Sequence, residues 1–450
     1  MKESSYNIWV ERGDAAYVFN GVSGALLRLP AAEQAALPGF LADEPGAAPS
    51  PKTLEQLALG RMLIPDTADE LAVLQGRYEA SRWDTTSFAL TIVTSLGCNF
   101  DCPYCFEAKH PSILSPEVEA AVLAVLDDQL PRIQRFSVSW FGGEPLVGKR
   151  PLLSLSDAFI ARCDRAGVAY SASITTNGYL LDEATCAQLR ERRVTSAQVS
   201  LDGPPEVHDR MRPLAGGGGS FQRIVQNLKH AVDYLDIGIR MNVDAQNIQR
   251  AEELFQILVD EGFAGKLSVY PGQIVGVGEN LLAPSASYGP RCLTNREFAW
   301  AELAFLALAE RYGLAGSALP RPTGAPCTAV RANELVVGST GELYKCWDSV
   351  GTKLEVIGDI RDYQNPNGRL AKWLTYDPFA NEECRGCIAL PVCMGGCAHH
   401  ALDLNQYENR CGTFRHTYRE QVLRFVEIAE ERGVDAATSV AELAHRMETR

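Results

Sequence analysis

The sequence predicts an α/β fold with a mainly parallel sheet, a small α+β unit before it and a cysteine-rich segment after it. Six apolar segments alternate with helical ones between about Phe88 and Glu310, a pattern typical of parallel sheets. Ten of the 13 cysteines fall into two groups, at positions 98–105 and 327–411. These observations predict domains at 1–85, 86–315 and 316–415, followed by a helical tail at 416–450.

Composition excludes several classes of protein. The 450-residue chain carries 42 Lys and Arg against 56 Asp and Glu, a net charge of −14. It has no basic block of the kind that nucleic-acid binding requires. No apolar stretch reaches the roughly 20 residues that span a bilayer, and MKESSYNIWV lacks the apolar core of a signal peptide. We therefore expect a cytoplasmic protein that binds neither nucleic acid nor membrane. An odd cysteine count in such a protein favours metal or redox chemistry over disulfides.

The N-terminal unit predicts two short strands followed by helices. YNIWVE and AAYVFNG alternate as half-buried strands do, and Gly21 and Gly24 then mark a turn. Helical periodicity follows over 31–41, 54–59 and 68–82.

Six strands are predicted in the central region, fewer than the eight of a closed barrel. A helix from Pro116 to Leu130 follows the first strand, with Ser115 as its N-cap. Glycine-rich polar segments follow several strands, at the edge where parallel sheets bind ligands. The six strands are FALTIVTSLG, RFSVSWFGG, YSASITTNG, SAQVSLDG, DIGIRMNVDAQ and KLSVYPGQIV.

A loop with three cysteines follows the first of these strands. Cys98, Cys102 and Cys105 have the spacing C-x3-C-x2-C. Three thiolates can hold three irons of a four-iron cluster that normally takes four, which leaves one iron open to a small molecule. A zinc site would need a fourth ligand, for which His110 is the local candidate. Three unrelated buried cysteines are the remaining interpretation, but the position at a strand end, with Tyr104 in the last gap, favours iron–sulfur.

The loop resembles that of the radical S-adenosylmethionine (SAM) superfamily. This resemblance implies a partial (β/α)6 barrel, a [4Fe–4S] cluster at the loop and SAM bound to its open iron. Reductive cleavage of SAM then yields a 5′-deoxyadenosyl radical that takes hydrogen from an unactivated carbon. The resemblance covers roughly Phe88 to Glu310.

The resemblance also implies contacts to SAM from the strand ends. A GGE segment in this position, here residues 142–144, holds the SAM amino group in the family. Segments similar to TTNG at 175–178 and SLDGP at 200–204 touch the ribose and carboxylate of SAM. Arg212 and Arg240 are both candidates for the SAM carboxylate, whereas a structural role is predicted for His208. The implied SAM-binding residues are Tyr104, Gly142, Gly143, Glu144, Thr176, Asn177, Ser200 and Asp202.

In the second cysteine array, 13 residues separate Cys327 from Gly341 and four separate Gly341 from Cys346; Cys384-x2-Cys387-x5-Cys393-x3-Cys397 follows, and 13 further residues separate Cys397 from Cys411. This pattern resembles a SPASM domain in all seven cysteine positions. That resemblance implies two auxiliary four-iron clusters, held by Cys384, Cys387, Cys393 and Cys411, and by Cys327, Cys346 and Cys397. Two fully ligated clusters need eight thiolates, so one ligand is missing. Either the second cluster has an open iron that binds a substrate thiolate, or Cys292, Cys163 or Cys186 completes it, with Cys292 the best placed. A zinc ribbon would explain only residues 384–397.

The predicted function is modification of a peptide by a radical enzyme. Enzymes with SPASM domains mostly act on peptides and proteins, and the N-terminal unit is similar to winged-helix-like domains that bind leader peptides by strand addition. A structural cap is the alternative for that unit. We expect a precursor peptide as substrate, a flavodoxin- or ferredoxin-like electron donor, and a thioether or carbon–carbon crosslink as product. Asp348 is a candidate general base, although Trp347 stands where sulfatase-maturating relatives carry an acid. A sulfatase-maturating or cofactor-building enzyme is an alternative, as is a non-catalytic iron–sulfur carrier or zinc-stapled binding protein.

Overall fold

The computed structural model describes residues 1–46, 48–107, 109–275, 283–288, 291–316, 318–403, 407–433 and 436–437. Of the tail predicted at 416–450, residues 434–435 and 438–450 lie outside this description. Within the described residues, no helix is long and apolar enough to cross a membrane.

The N-terminal unit contains a three-stranded antiparallel sheet and three helices. The sheet has the order β2-β3-β4, so the prediction of two strands missed β4. The elements are β1 Lys2–Glu3, β2 Asn7–Arg12, β3 Ala15–Asn20, β4 Ala25–Pro30, α1 Ala31–Leu41, α2 Pro51–Leu59, β5 Leu63–Ile64 and α3 Glu70–Arg82. Both faces of this sheet are covered, which is why β3 is buried along its whole length and β4 lacks a clean apolar–polar alternation.

The six predicted strands of the central region are confirmed as neighbours in one parallel sheet. They run in the order β11-β10-β9-β8-β7-β6. Ser115 caps the helix after β6, accepting a hydrogen bond from the Val118 amide at 3.4 Å. The elements are β6 Ser87–Ser95, α4 Pro116–Gln129, β7 Arg135–Gly142, α5 Lys149–Ala166, β8 Ala169–Thr176, α6 Glu183–Glu191, β9 Val194–Ser200, α7 Pro205–Met211, α8 Phe221–Tyr234, β10 Asp236–Val243, α9 Ala251–Asp260 and β11 Leu267–Gln273.

The cysteine-rich segment continues the central sheet. β12 pairs in parallel with β6, and β13 and β14 extend the sheet to nine strands. The sequence did not predict these strands because they are only two to four residues long. The elements are α10 Asn295–Arg311, β12 Glu334–Val337, β13 Glu342–Tyr344, β14 Gly358–Asp359, α11 Leu370–Leu374, α12 Glu382–Arg385, α13 Leu390–Cys393, α14 Ala398–Leu402 and α15 Phe414–Glu431.

Helix α15 packs against the N-terminal sheet. Val422 and Val426 pack in one apolar cluster with Ile8 and Val10 of β2. Helix α15 therefore occupies the first part of the predicted helical tail, and it covers one face of the N-terminal sheet.

Candidate active site

The three-cysteine loop begins directly after β6, at the carboxyl edge of the central sheet. Cys98, Cys102 and Cys105 are free thiols. Burial raises the pKa of Cys98 to about 11 and that of Cys105 to about 12, and the charge of Cys102 adds to both shifts. Cys102 therefore lies within electrostatic range of both other sulfurs. Because metal ligands must be thiolates, binding at this loop has to release protons.

Gly142 and Gly143 bring the end of β7 against the backbone of this loop. A Cβ atom on Gly142 would lie 2.2 Å from the carbonyl oxygen of Ser95, and one on Gly143 would lie 2.9 Å from that of Gly97. Gly142 also has a φ of 139°, which other residues rarely adopt. The two glycines thus permit the close approach of β7 to the loop, while their contact with SAM stays a prediction.

Glu144 is fully buried and connects the ends of β7 and β8. Its carboxylate accepts hydrogen bonds from the Leu146 amide at 2.9 Å, the Thr176 hydroxyl at 2.8 Å and the Asn177 amide at 2.7 Å. The Asn177 side chain in turn donates to the Asn99 side chain at 2.7 Å. Three predicted SAM contacts therefore form one network that reaches the cysteine loop.

A second network joins Tyr104 to Asp202, just beyond the end of β9. The Tyr104 hydroxyl donates to the Asp202 carboxylate, which also accepts from the Asn242 amide at 2.9 Å. Arg212 donates to the Tyr104 oxygen at 2.5 Å. Burial raises the pKa of Cys102, and the charge of Arg212 lowers it. Arg212 thus lies beside the three-cysteine loop.

Ser200, Arg240 and His208 lie next to this network, at the end of β9, within β10 and in α7. Ser200 ends β9 and lies opposite Arg240 on β10. The His208 Nδ1 accepts from the Asp202 amide at 3.2 Å, and its Nε2 lies 3.0 Å from the Ser220 hydroxyl. Burial lowers the pKa of His208 well below its ordinary value, so the ring is neutral. The structural role predicted for His208 matches these contacts.

The second array separates into the two groups that the SPASM resemblance implies. The thiolate charges of Cys393, Cys411 and Cys387 all act on Cys384. Burial raises the pKa of Cys346 far above its ordinary value, and Cys397 and Cys327 add to that shift. The members of each group therefore lie within electrostatic range of one another. Their role as cluster ligands stays a prediction.

The donor chemistry of each group suits an iron–sulfur cluster. Among the described residues, no three Cys, His, Asp or Glu side chains lie close enough to share a single metal ion. All ten predicted ligands are free cysteines, which are the ligands of four-iron clusters. Since thiolates surround such a cluster rather than one ion, the residues present fit the group.

The three remaining cysteines lie in other surroundings. The Cys292 sulfur is 3.9 Å from the Tyr288 carbonyl oxygen, and the charge that acts on it comes from Asp244. These contacts belong to the barrel and do not include the second array. Cys163 and Cys186 are fully buried in the central core, in α5 and α6.

Asp348 lies within electrostatic range of groups in both cysteine arrays. Its charge raises the pKa of Cys346 and Cys397 in the second array, and also that of Glu107 in the first loop. The neighbouring Trp347 is 46% exposed and stacks on Phe141 of β7, with ring centroids 6.2 Å apart. The segment after Cys346 thus faces the carboxyl edge of the central sheet.

Sequence reasoning missed Glu107. This residue follows Cys105 by two positions and is only 2% exposed. The sequence indicated this residue only as a charged side chain directly after the cysteine loop. Its burial became visible only in the fold.

Comparison with known proteins agrees with this geometry. The family model of the radical SAM superfamily matches residues 92–258. The chain carries a radical SAM domain. That range includes the first cysteine loop and every predicted SAM contact. The protein is therefore an enzyme, and a radical SAM domain implies a [4Fe–4S] cluster and SAM.

Two relatives of this radical SAM chain are maturases. It is 24% identical over 347 residues to the serine-type anaerobic sulfatase-maturating enzyme of Klebsiella pneumoniae, covering 70% of this chain and 82% of the relative. It is 27% identical over 332 residues to the mycofactocin maturase MftC of Mycolicibacterium smegmatis, covering 68% and 77%.

A solved structure extends the likeness to most of the fold. Streptococcus suis SuiB bound to the precursor peptide SuiA matches with a TM-score of 0.53 and 14% identity, over 92% of this chain and 99% of that chain. At this identity the match shows the fold alone.

Proposed function

We propose that this radical SAM enzyme is a SPASM-type peptide maturase that crosslinks a ribosomally synthesised precursor peptide through a thioether or carbon–carbon bond. The grouping of seven further thiols into two sets carries the proposal, because SAM cleavage alone needs only the first loop. When bound, SAM and its cluster supply a 5′-deoxyadenosyl radical, and auxiliary clusters supply an acceptor for the surplus electron. A flavodoxin- or ferredoxin-like protein would deliver the first electron.

The chain's residues divide this work between the two arrays. Cys98, Cys102 and Cys105 would hold the SAM-binding cluster, and the networks of Glu144 and Asp202 would fix the strand ends around SAM. The group containing Cys384 would hold one auxiliary cluster with four thiolates. The group containing Cys346 would hold the other with three, which would leave an iron for a substrate thiolate. Asp348, within electrostatic range of both arrays, would accept a proton from the substrate.

The N-terminal unit would bind the leader segment of the precursor. Its sheet ends in the edge strands β2 and β4, and an added strand needs such an edge. A small cleft beside β2 is lined by Asn7, Trp9 and Leu37, among others. Leader binding predicts that Trp9→Ala weakens precursor binding and leaves SAM cleavage unchanged. Equal precursor affinity of the Trp9→Ala variant and the wild-type enzyme would instead indicate that the N-terminal unit is a structural cap.

Sulfatase maturation is the second candidate, favoured by the likeness to the Klebsiella enzyme. The chain differs from that activity's pattern at Trp347, which follows Cys346 directly. Anaerobically reconstituted enzyme should be incubated with SAM, dithionite and either a sulfatase-derived peptide or a short peptide encoded beside this gene. We expect the encoded peptide to lose two hydrogen atoms in mass spectrometry. Modification of the sulfatase peptide alone would replace the proposal with the second candidate.

The same preparation tests the two alternatives from other classes, a zinc-stapled binding protein and a non-catalytic electron carrier. About twelve iron atoms and about twelve sulfides per chain, as three four-iron clusters require, would exclude a zinc-stapled binding protein. Release of 5′-deoxyadenosine distinguishes an enzyme from an electron carrier.

A further inference from the structure

Glu107 is a buried carboxyl group that lacks hydrogen-bond donors. It is 2% exposed, and in the part of the chain that the structure describes neither carboxyl oxygen has a hydrogen-bond partner. Glu144 and Asp202 are buried as deeply, yet each accepts three hydrogen bonds. An unpaired buried carboxyl destabilises a fold, and such groups are rare without a functional reason.

Charged groups from other segments act on Glu107. Burial raises the pKa of Glu107 to about 8, the charge of Lys109 lowers it, and Asp348 and Glu144 raise it further. The Lys109 ammonium is engaged elsewhere, because it donates to the Phe100 carbonyl oxygen at 2.7 Å. Lys109 therefore does not satisfy the unpaired carboxyl group of Glu107.

The position of the acids connects the two cysteine arrays. Glu107 lies two residues after Cys105 in the first loop, and Asp348 lies two residues after Cys346 in the second array. A substrate that meets the radical at the first array and Asp348 at the second has to pass between them. A donor on that substrate is the partner that the Glu107 carboxyl lacks.

We propose that Glu107 binds a positively charged nitrogen of a bound substrate. An ammonium or guanidinium group donates the missing hydrogen bonds, and its positive charge favours the ionised form of the carboxyl. Two sources carry this chemistry: a Lys or Arg side chain of the precursor peptide, and the α-ammonium group of SAM. The peptide source rests on the proposed function, and the SAM source does not.

The test compares reconstituted full-length Glu107→Gln with Glu191→Gln, a matched control on an exposed glutamate at the end of α6. Iron content and the spectrum of the reduced clusters first establish that both variants are assembled. Equilibrium dialysis then measures SAM affinity. Precursor affinity is measured for the wild-type peptide and for peptides in which each Lys or Arg is replaced in turn by norleucine.

We expect Glu107→Gln to weaken one of these two affinities by about ten- to a hundredfold, the effect of losing a charge-assisted hydrogen bond. With a peptide source, one norleucine peptide binds as weakly to the wild-type enzyme as the native peptide does to Glu107→Gln, and the two changes together add nothing. With SAM as source, only SAM affinity falls. If Glu107→Gln matches Glu191→Gln in both affinities, the proposal is overturned.

Two further outcomes are interpreted separately. If Glu107→Gln does not assemble its clusters, the wild-type enzyme is used for the test. The proposal is contradicted if that enzyme binds every norleucine peptide as tightly as the native peptide, and binds SAM lacking its α-amino group as tightly as SAM. If wild-type enzyme crosslinks no precursor, the proposed function fails and removes the peptide source. An unchanged SAM affinity in Glu107→Gln would then also refute the SAM source.

Discussion

The backbone amide of Asn177 donates a 2.7 Å hydrogen bond to the carboxylate of Glu144, and so connects the ends of two neighbouring parallel strands. This bond fixes the position of two predicted SAM contacts relative to the three-cysteine loop. Both carboxylate oxygens are held, because the Thr176 hydroxyl and the Leu146 amide donate to the other oxygen.

Glu144→Gln should therefore lower SAM affinity about tenfold or more. A glutamine places an NH2 group opposite one of these donors, and a lost hydrogen bond to a charged group costs about 1.5–3 kcal/mol. Equilibrium dialysis with reconstituted protein measures the affinity. Glu119→Gln is the control, since Glu119 is a buried glutamate paired with Arg150 at 2.6 Å on other helices. Equal SAM affinity in both variants would refute the role of Glu144.

Gly142→Ala should cost the enzyme its first cluster. The added Cβ would meet the Ser95 carbonyl oxygen at 2.2 Å, so the backbone that leads into the cysteine loop must shift. We expect iron to fall from about twelve to about eight atoms per chain, with SAM cleavage lost. Gly76→Ala, in α3 with open space around its Cα, should keep all its iron. A Gly142→Ala protein with full iron and activity would contradict the close packing described here.

Serine substitutions in the second array should remove one cluster at a time. Cys384→Ser and Cys346→Ser belong to different groups, so each should change a different component of the electron paramagnetic resonance spectrum. Cys292→Ala should change neither, because its contacts are to Tyr288 and the barrel. Loss of a cluster signal in Cys292→Ala would make Cys292 the eighth ligand and remove the open iron.

The free energy of unfolding should decrease as the pH is lowered, because the folded protein disfavours protonation of His208. The folded protein holds this ring neutral with a pKa well below 6.5, whereas the unfolded chain binds a proton below about pH 6.5. His208 therefore destabilises the fold by about 1.4 kcal/mol per pH unit below that point. Thermal unfolding midpoints from about pH 7.5 to about pH 5.5 should show a shallower dependence in His208→Gln than in wild-type protein. An identical dependence would mean that His208 is protonated in the folded state.

The six parallel strands of the central sheet were predictable because each is seven to nine residues long and because at least one helix separates each strand from the next. The roles predicted for the cysteines rest on their spacing, which the sequence records directly. β4 and β12 were not predictable. β4 is buried on both faces and so loses its alternation, while β12 is four residues long and gains its stability from pairing with β6.

The side-chain networks were beyond the sequence for another reason. Tyr104, Asp202 and Arg212 lie up to 108 positions apart, and only the parallel order of the strands brings them together. The same holds for the electrostatic effect of Asp348 on Glu107, which depends on the second array returning to the edge of the barrel. Sequence spacing identifies ligands within one loop, but it does not report which acid lacks a partner.

The central claim is that Cys98, Cys102 and Cys105 hold a cluster at which SAM is cleaved. Liquid chromatography of anaerobically reconstituted enzyme with SAM and dithionite tests it most directly. The account predicts 5′-deoxyadenosine from the wild-type protein and none from the variant in which these three cysteines are alanine. A wild-type protein that is iron-loaded yet leaves SAM intact, or a triple variant that still cleaves it, would contradict the account.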